Sequence, residues 1–460
     1  MLSDRENELA NASVGRLFLR LALPSVTAQV INVLYNIIDR VYIGHIPVVG
    51  SYALTGVGVT MPIILAISAF ASLVSMGGAP RASMMMGKGN HDEAEKILGT
   101  CTFTLVIISI IITGIMLVFG KSILLAFGAS NDTIRYALGY IRIYSLGTVF
   151  VQLALGLNAF ITAQGFALTS MLTVMIGAVC NIILDPIFIF CLNMGVEGAA
   201  LATVISQMVS SFWIIKFLCS EKSILHLKRK HLKLVPHILL PCVALGLSPF
   251  LMQLTENMVA VSFNVSLLKY GGDIAVGAVS ILCSIMNFTM LLLVGLTQGA
   301  QPILSYNLGA GNVERIKRTF YLLLKSCVTG SVFIWVLCMF SSKMVASIFT
   351  NDNELISYTA WALKIYMCAS AIFGVQVACQ YSLVALNQAP TAIFLSIYRK
   401  ILLLIPLIFI LPHFFENQAM AVFMAEPIAD TISVCTTAIL FADHFKKMIK
   451  NLNAKNKSNS

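Results

Sequence analysis

The chain has 460 residues, of which 58% are hydrophobic and only 11% charged, and its mean hydropathy is +0.88; ordinary soluble proteins carry about 25% charged residues. This composition excludes a soluble globular domain and predicts a polytopic membrane protein. The net charge of +10 lies in short loops between apolar spans and not in a separate basic domain, which argues against nucleic acid as a partner and for membrane topology.

Residues 1–16 read as a polar amphipathic lead-in with no cleavable signal, so the first span is expected to act as its own targeting signal. Spans are expected near 18–43, 51–76, 97–119, 133–163, 167–191 and 196–218. A basic stretch follows from Lys216 to Lys233, and six more spans are expected near 240–268, 273–297, 319–340, 355–385, 391–411 and 419–444. The short alternating strands of a barrel are absent. The predicted fold class is therefore an all-α membrane protein with about twelve transmembrane helices. The domains are an amino-terminal six-helix lobe at 15–218, a basic linker at 219–238 and a carboxy-terminal six-helix lobe at 239–445.

Loop charges set an orientation. Arg81, Lys88, Lys96, the linker, Arg315, Lys317, Arg318, Arg399, Lys400, Lys446, Lys447 and Lys450 fall on one side, and the opposite loops hold little beyond Lys121, Lys269 and Lys343. The positive-inside rule then makes both termini and the linker cytoplasmic, in a cell (plasma or inner) membrane. Eleven Cys residues, scattered from Cys101 to Cys435 without paired spacing, read as small core hydrophobes and not as disulfides or zinc ligands.

The two halves repeat. Gly87-Lys88-Gly89-Asn90 aligns with Gly309-Ala310-Gly311-Asn312 at an offset of 222, which also pairs Pro80 with Pro302, Phe127 with Phe349, Arg142-Ile143-Tyr144 with Lys364-Ile365-Tyr366, and Ala163 with Ala385. An even number of spans separates the copies, so they share a topology and face each other about an axis along the membrane normal. That plan suits alternating access, with two pseudo-symmetric lobes rocking around a site between them.

Within this apolar frame, CNIILDPIFIF at 180–190 stands out. Asn181 and Asp185 are four apart and share a helix face, and Pro186 cannot donate to the Ile182 carbonyl. An acid at a membrane-helix centre costs roughly 2.5–3.5 kcal/mol, so its retention points to an ion or proton path. Asp39, Asp185 and Thr203 are expected at similar depth toward the outer side. Two carboxylates brought close cannot both stay ionised cheaply, so a proton can be taken up there, and carboxylate, amide and hydroxyl oxygens equally suit Na+. Asn32, Tyr35 and Asn36 precede Asp39 by seven, four and three positions and extend its polar face. Arg40 is expected to snorkel outward and not to pair with Asp39.

These motifs, with LALPSVTAQVINVLYNIIDRVYIG at 21–44, the loops GKGNHDEAEK and GAGNVERIKR, and GVEGAALATVISQ at 195–207, resemble the multidrug and toxic compound extrusion (MATE) transporters, closest to the prokaryotic DNA-damage-inducible-like branch. The resemblance covers about residues 15–445. It implies secondary active efflux of amphipathic, often cationic compounds by antiport with H+ or Na+. It also carries a cation-binding cluster onto Asp39, Asn181, Asp185 and Thr203, with Tyr140 and Asn158 as matched neighbours. Glu256 roughly matches an ion-coupling position used by some branches, but the partner acid in the tenth span is missing.

In the twelfth span Glu426 and Asp430 lie four apart, and Arg399 and Lys400 are candidate partners for them. Glu256 and the flexible Met286 and Met290 are candidate cleft or substrate contacts, with helical core as the plainer reading of the methionines. Gly120-Lys121-Ser122 lacks the spacing of a phosphate loop, so an ion gradient is the expected energy source. No cofactor is expected beyond bound H+ or Na+, and a monomer in the lipid bilayer is expected to bind small amphipathic substrates. A flippase of lipid-linked saccharides is the alternative; it would want a basic cavity for pyrophosphate, where the amino-terminal lobe offers acids. A membrane-embedded enzyme would need catalytic or metal-binding groups in the spans, but all seven His residues lie in loops or at span ends.

Overall fold

The computed structural model describes residues 4–47 and 50–459. Its helices are α1 (Asp4–Asn11), α2 (Val14–Gly44), α3 (Gly50–Gly87), α4 (His91–Ala126), α5 (Ile134–Leu146), α6 (Thr148–Ala163), α7 (Ala167–Pro186) and α8 (Gly195–Leu218) in the first half. The second half holds α9 (Pro236–Gly309), α10 (Val313–Phe340), α11 (Ser342–Ser347), α12 (Asn353–Tyr366), α13 (Ser370–Ala385), α14 (Ala389–Ile397), α15 (Ile405–Ile410) and α16 (Gln418–Asn459). Among the described residues nine stretches are long and apolar enough to cross a membrane, or eleven when each of two bent pairs counts as one span. The 74-residue α9 is two helices joined at Gly272, whose φ of 67° and ψ of −166° only glycine adopts without strain. Dividing it there brings the count to the expected twelve.

The internal repeat has a structural cause at each level. In the two Gly-rich loops, Gly89 (φ 75°) and Gly311 (φ 71°) take the left-handed conformation that closes a helix. The next residue, Asn90 or Asn312, then caps the following helix by accepting from the backbone N–H of Glu93 or Arg315, each at 3.2 Å. The bends repeat as well: α5 and α6 meet at 59°, and α12 and α13 at 54°, around positions related by the same offset. Pro186 does not break its helix; α7 runs to Pro186 and continues as a widened π turn over Ile187–Cys191.

Three cores organise the packing. One draws on both halves, including Leu17, Phe18, Ala79, Ala82 and Leu98 from the first and Ile238, Cys242, Ala300, Phe373 and Phe441 from the second. The other two belong to one half each, around Ile43, Val57, Tyr140 and Ala199, and around Phe263, Leu282, Leu363 and Phe423. The shared core lies at the end of the bundle that carries both termini: Arg315 donates to the α1 carbonyls of Leu9 at 3.0 Å and Ala12 at 2.7 Å, and Phe320 stacks on Phe441 of α16. There α3 and α9 touch backbone to backbone. A Cβ on Gly77 would stand 1.8 Å from the Cys242 carbonyl oxygen, and one on Gly246 1.8 Å from that of Leu73. The lobes are thus joined by a shared core and close backbone contact at the terminal end, while the other two cores each belong to one lobe.

Two expectations need correction. The second span does not stop near residue 76, because α3 runs through Pro80 and Arg81 to Gly87, and Arg81 donates to Asn387 Oδ1 at 3.1 Å. Arg399 and Lys400 are not loop charges that report orientation. They are buried inside the Ala389–His413 span, at 7% and 3% exposure, because acids of neighbouring helices pair with them.

The linker is docked on the first half. Gln164 Oε1 accepts from Ser223 Oγ at 3.0 Å and from the backbone N–H groups of Ile224 and Leu225 at 2.8 and 2.9 Å. Buried Glu95 takes the Lys228 ammonium at 2.5 Å and the His226 N–H at 3.2 Å.

Candidate ion and cargo site

Four helices of the first half converge on one polar cluster. Asp39 on α2, Asn181 and Asp185 on α7, and Tyr140 on α5 are all buried, and Thr203 on α8 is half-buried. The Asn181 amide donates to Asp185 Oδ1 at 3.1 Å and reaches Thr203 Oγ1 at 3.5 Å. Thr203 spends its own proton on the Ala199 carbonyl at 3.1 Å, so its oxygen is left to accept. Asp39 and Asp185 face each other within hydrogen-bonding reach, and Tyr140 lies against Thr203.

Three acceptors in this cluster are buried without a donor: Asp39 Oδ1, Asp185 Oδ2 and Asn181 Oδ1. Arg40 is exposed and makes no ion pair with Asp39, as its position beside and not beneath that residue requires. Buried polar groups are nearly always satisfied, and an unpaired pair of carboxyls is among the costliest exceptions. A proton shared between the carboxyls, or a small cation held by carboxylate, amide and hydroxyl oxygens, would satisfy these acceptors.

The other candidate residues divide. Asn158 falls outside the cluster: its amide donates to the Ser170 carbonyl at 3.4 Å, eleven residues before Asn181 and so about 16 Å away along α7. Tyr35 lies near both carboxyls. The Asn36 side chain turns back to the Asn32 carbonyl at 2.6 Å. Met286 and Met290 are half-buried and pack against the shared core.

The second half carries a different electrostatic design. Arg399 donates from Nε to Asp430 Oδ1 at 2.7 Å and from Nη2 to Glu426 Oε1 at 2.9 Å, with its guanidinium 4.7 Å from the Phe373 ring centre. Lys400 forms an ion pair with Glu256 and donates to the Met252 carbonyl at 3.2 Å. Lys400 is buried, whereas the Glu256 side chain is half exposed. Arg399 and Lys400 open a π turn, Tyr398–Leu404, and from adjacent positions they serve acids on two different helices, α16 and α9. Of the two roles expected for this pair, loop charges and partners of Glu426 and Asp430, Arg399 takes the second, and Lys400 serves Glu256 instead. The signal that identifies the role of Arg399 is the i, i+4 acid pair Glu426 and Asp430, which needs buried bases nearby.

The chain matches the MatE family model twice, over residues 24–187 and 249–410. It is 26% identical over 404 residues to the multidrug export protein MepA of Staphylococcus haemolyticus, covering 88% of each chain. With MepA of Staphylococcus aureus strain MSSA476 it shares 24% over 406 residues, covering 87% of this chain and 88% of the relative. Among solved structures it superposes on a MATE protein in the bent conformation with a TM-score of 0.92 at 20% identity, covering 98% of this chain and all of the other. An outward-facing multidrug resistance MATE transporter of the MOP superfamily gives a TM-score of 0.90 at 20% identity, covering 97% and 99%. The two matched segments cover well over half of the sequence, one in each lobe, and the chain belongs to the MatE family.

Proposed function

We propose that the chain is a secondary active exporter of amphipathic, often cationic small molecules, driven by entry of H+ or Na+, with both termini cytoplasmic in the plasma or inner membrane. The observation that carries this reading is the buried Asp39 and Asp185 pair, each with an oxygen that no donor reaches and, among the described residues, without a basic ion-pair partner. The names of the relatives, multidrug export proteins in two Staphylococcus species, support the substrate class.

In this mechanism the ion and the cargo are alternative ways to neutralise the amino-terminal carboxyls. With the cleft open outward, ion arrival at Asp39 and Asp185 removes the negative charge that holds a cationic cargo, and the cargo leaves. Asn181 fixes one oxygen of Asp185, and Thr203 and Tyr140 line the same pocket. With the charge neutralised, the site loses much of the desolvation penalty that opposes closure of the lobes. Glu256 is a further cleft contact, half exposed beside its tethered ammonium. The two buried bases of the second-half cluster, Arg399 and Lys400, are already neutralised by acids, which leaves this cluster no free charge for the pyrophosphate of a lipid-linked saccharide.

The test is ethidium efflux from proteoliposomes under a proton gradient alone and a sodium gradient alone. One gradient drives transport by the wild type, and Asp185→Asn lowers the driven rate at least about tenfold, the scale of one lost charge interaction, with unchanged protein recovery. Undiminished driven efflux by Asp185→Asn overturns the assignment.

A further inference from the structure

Near the terminal end of the bundle, α10 and the last turns of α16 enclose a groove of about 750 Å³. Lys317, Lys446 and Lys450 line it together with Phe320, Phe441 and Phe445, and no acid does. The three rings form one aromatic floor, with Phe441 stacked on Phe320 at 4.4 Å and on Phe445 at 5.2 Å between centres, and Phe320 and Phe445 tilted 41° to each other at 5.3 Å. None of the three lysines makes an ion pair or hydrogen bond with a described residue. The neighbouring Asp443 is taken by Lys447 at 2.7 Å, and His444 by Thr391 at 3.0 Å. Three ammonium groups held beside an aromatic floor, at one end of a membrane-spanning bundle, are charge-complementary to a phosphate carried on acyl chains. The apolar route for those chains continues along the same helices. Tyr321, Phe333 and Phe340 on α10 are 67%, 68% and 80% exposed, and Ile439 on α16 is 69% exposed.

We propose that this groove is a binding site for an anionic phospholipid of the leaflet facing the termini, with the phosphate among Lys317, Lys446 and Lys450 and an acyl chain against the phenylalanine floor. The lipid clamps the end of α16 to the start of α10. Because α10 also holds α1 through Arg315, the lipid ties both termini to this end of the bundle. The site is separate from the carboxyl pair, so it stands or falls independently of ion coupling.

The test is native mass spectrometry of the purified full-length chain titrated with phosphatidylglycerol or phosphatidylcholine. Each lysine near an anionic head group contributes about fivefold in affinity, so phosphatidylglycerol should be favoured by about 100-fold. Lys317→Gln/Lys446→Gln/Lys450→Gln should abolish that preference, and the triple Arg variant, which keeps the charge, should retain it. Equal retention of both lipids by the wild type, or a preference that survives in the triple Gln variant, overturns the proposal. Displacement of bound phosphatidylglycerol by equimolar inorganic phosphate also overturns it, because it would reveal a site for the free anion.

Discussion

Asp185 and Arg399 are both buried charges in apolar helices, and their surroundings give them opposite roles. Asp185 meets another acid and an amide, whereas Arg399 meets Glu426 and Asp430 with near-ideal hydrogen bonds. Breaking a buried ion pair from one side costs about 3–5 kcal/mol, because the partner charge stays behind. Arg399→Met should therefore lower stability by about that amount, read as the melting temperature of the purified protein. Adding Glu426→Gln and Asp430→Asn to that variant should recover most of the loss; no recovery would mean that Arg399 acts through packing on Phe373. Asp39, Asn181 and Asp185 were legible in the sequence because a carboxylate in a hydrocarbon-length run has no bland explanation. Arg399 was legible in part, as a candidate partner of Glu426 and Asp430; its position near a span end serves equally as a topology marker, and the meeting of α14, its π turn and α16 decides between the two.

At the level of elements, the repeated Gly-Asn loops were readable because glycine and asparagine have fixed duties at helix ends. The Gly272 kink within α9 marks a boundary that hydropathy alone placed within a few residues. The π turns were not readable: they depend on how Pro186 and the charged Arg399-Lys400 pair settle against neighbouring helices.

The linker carries a pH dependence of its own. Burial pushes the His231 imidazole below its ordinary value, and the nearby Lys230 adds to this; Asp92 and Glu95 oppose it without prevailing. A group whose folded pKa is depressed releases its proton on folding, so its contribution is fully present above the unfolded value of about 6.5 and is lost as pH falls through the folded one. Amide exchange of residues 223–235, corrected for intrinsic rates, should accelerate at pH 5.5 relative to 7.5. His231→Gln should flatten that difference, and an unchanged difference would place the effect elsewhere.

For the whole molecule, the repeat predicted two like lobes and the cores explain how they are joined. One core is shared at the terminal end, and each lobe keeps a core of its own toward the other end. The lobes are alike in backbone and unlike in charge. Inside its spans the second half sets the buried bases Arg399 and Lys400 against Glu256, Glu426 and Asp430, while in the first half Asp39 and Asp185 pair with no base among the described residues. This division of labour is the reason to locate ion coupling in the amino-terminal lobe and to treat the opposite cluster as framework and cleft wall.

The claim that ion and cargo compete for the Asp39 and Asp185 pair is tested most directly by binding of a fluorescent lipophilic cation to the purified chain in weakly buffered solution, with proton release recorded alongside. The account predicts that cargo binding weakens as either pH falls or Na+ rises. It also predicts that binding is accompanied by release of that same ion, and that Asp39→Asn and Asp185→Asn each remove the dependence. Cargo affinity that is independent of both ions in the wild type, or an ion dependence that persists in both variants, would contradict it.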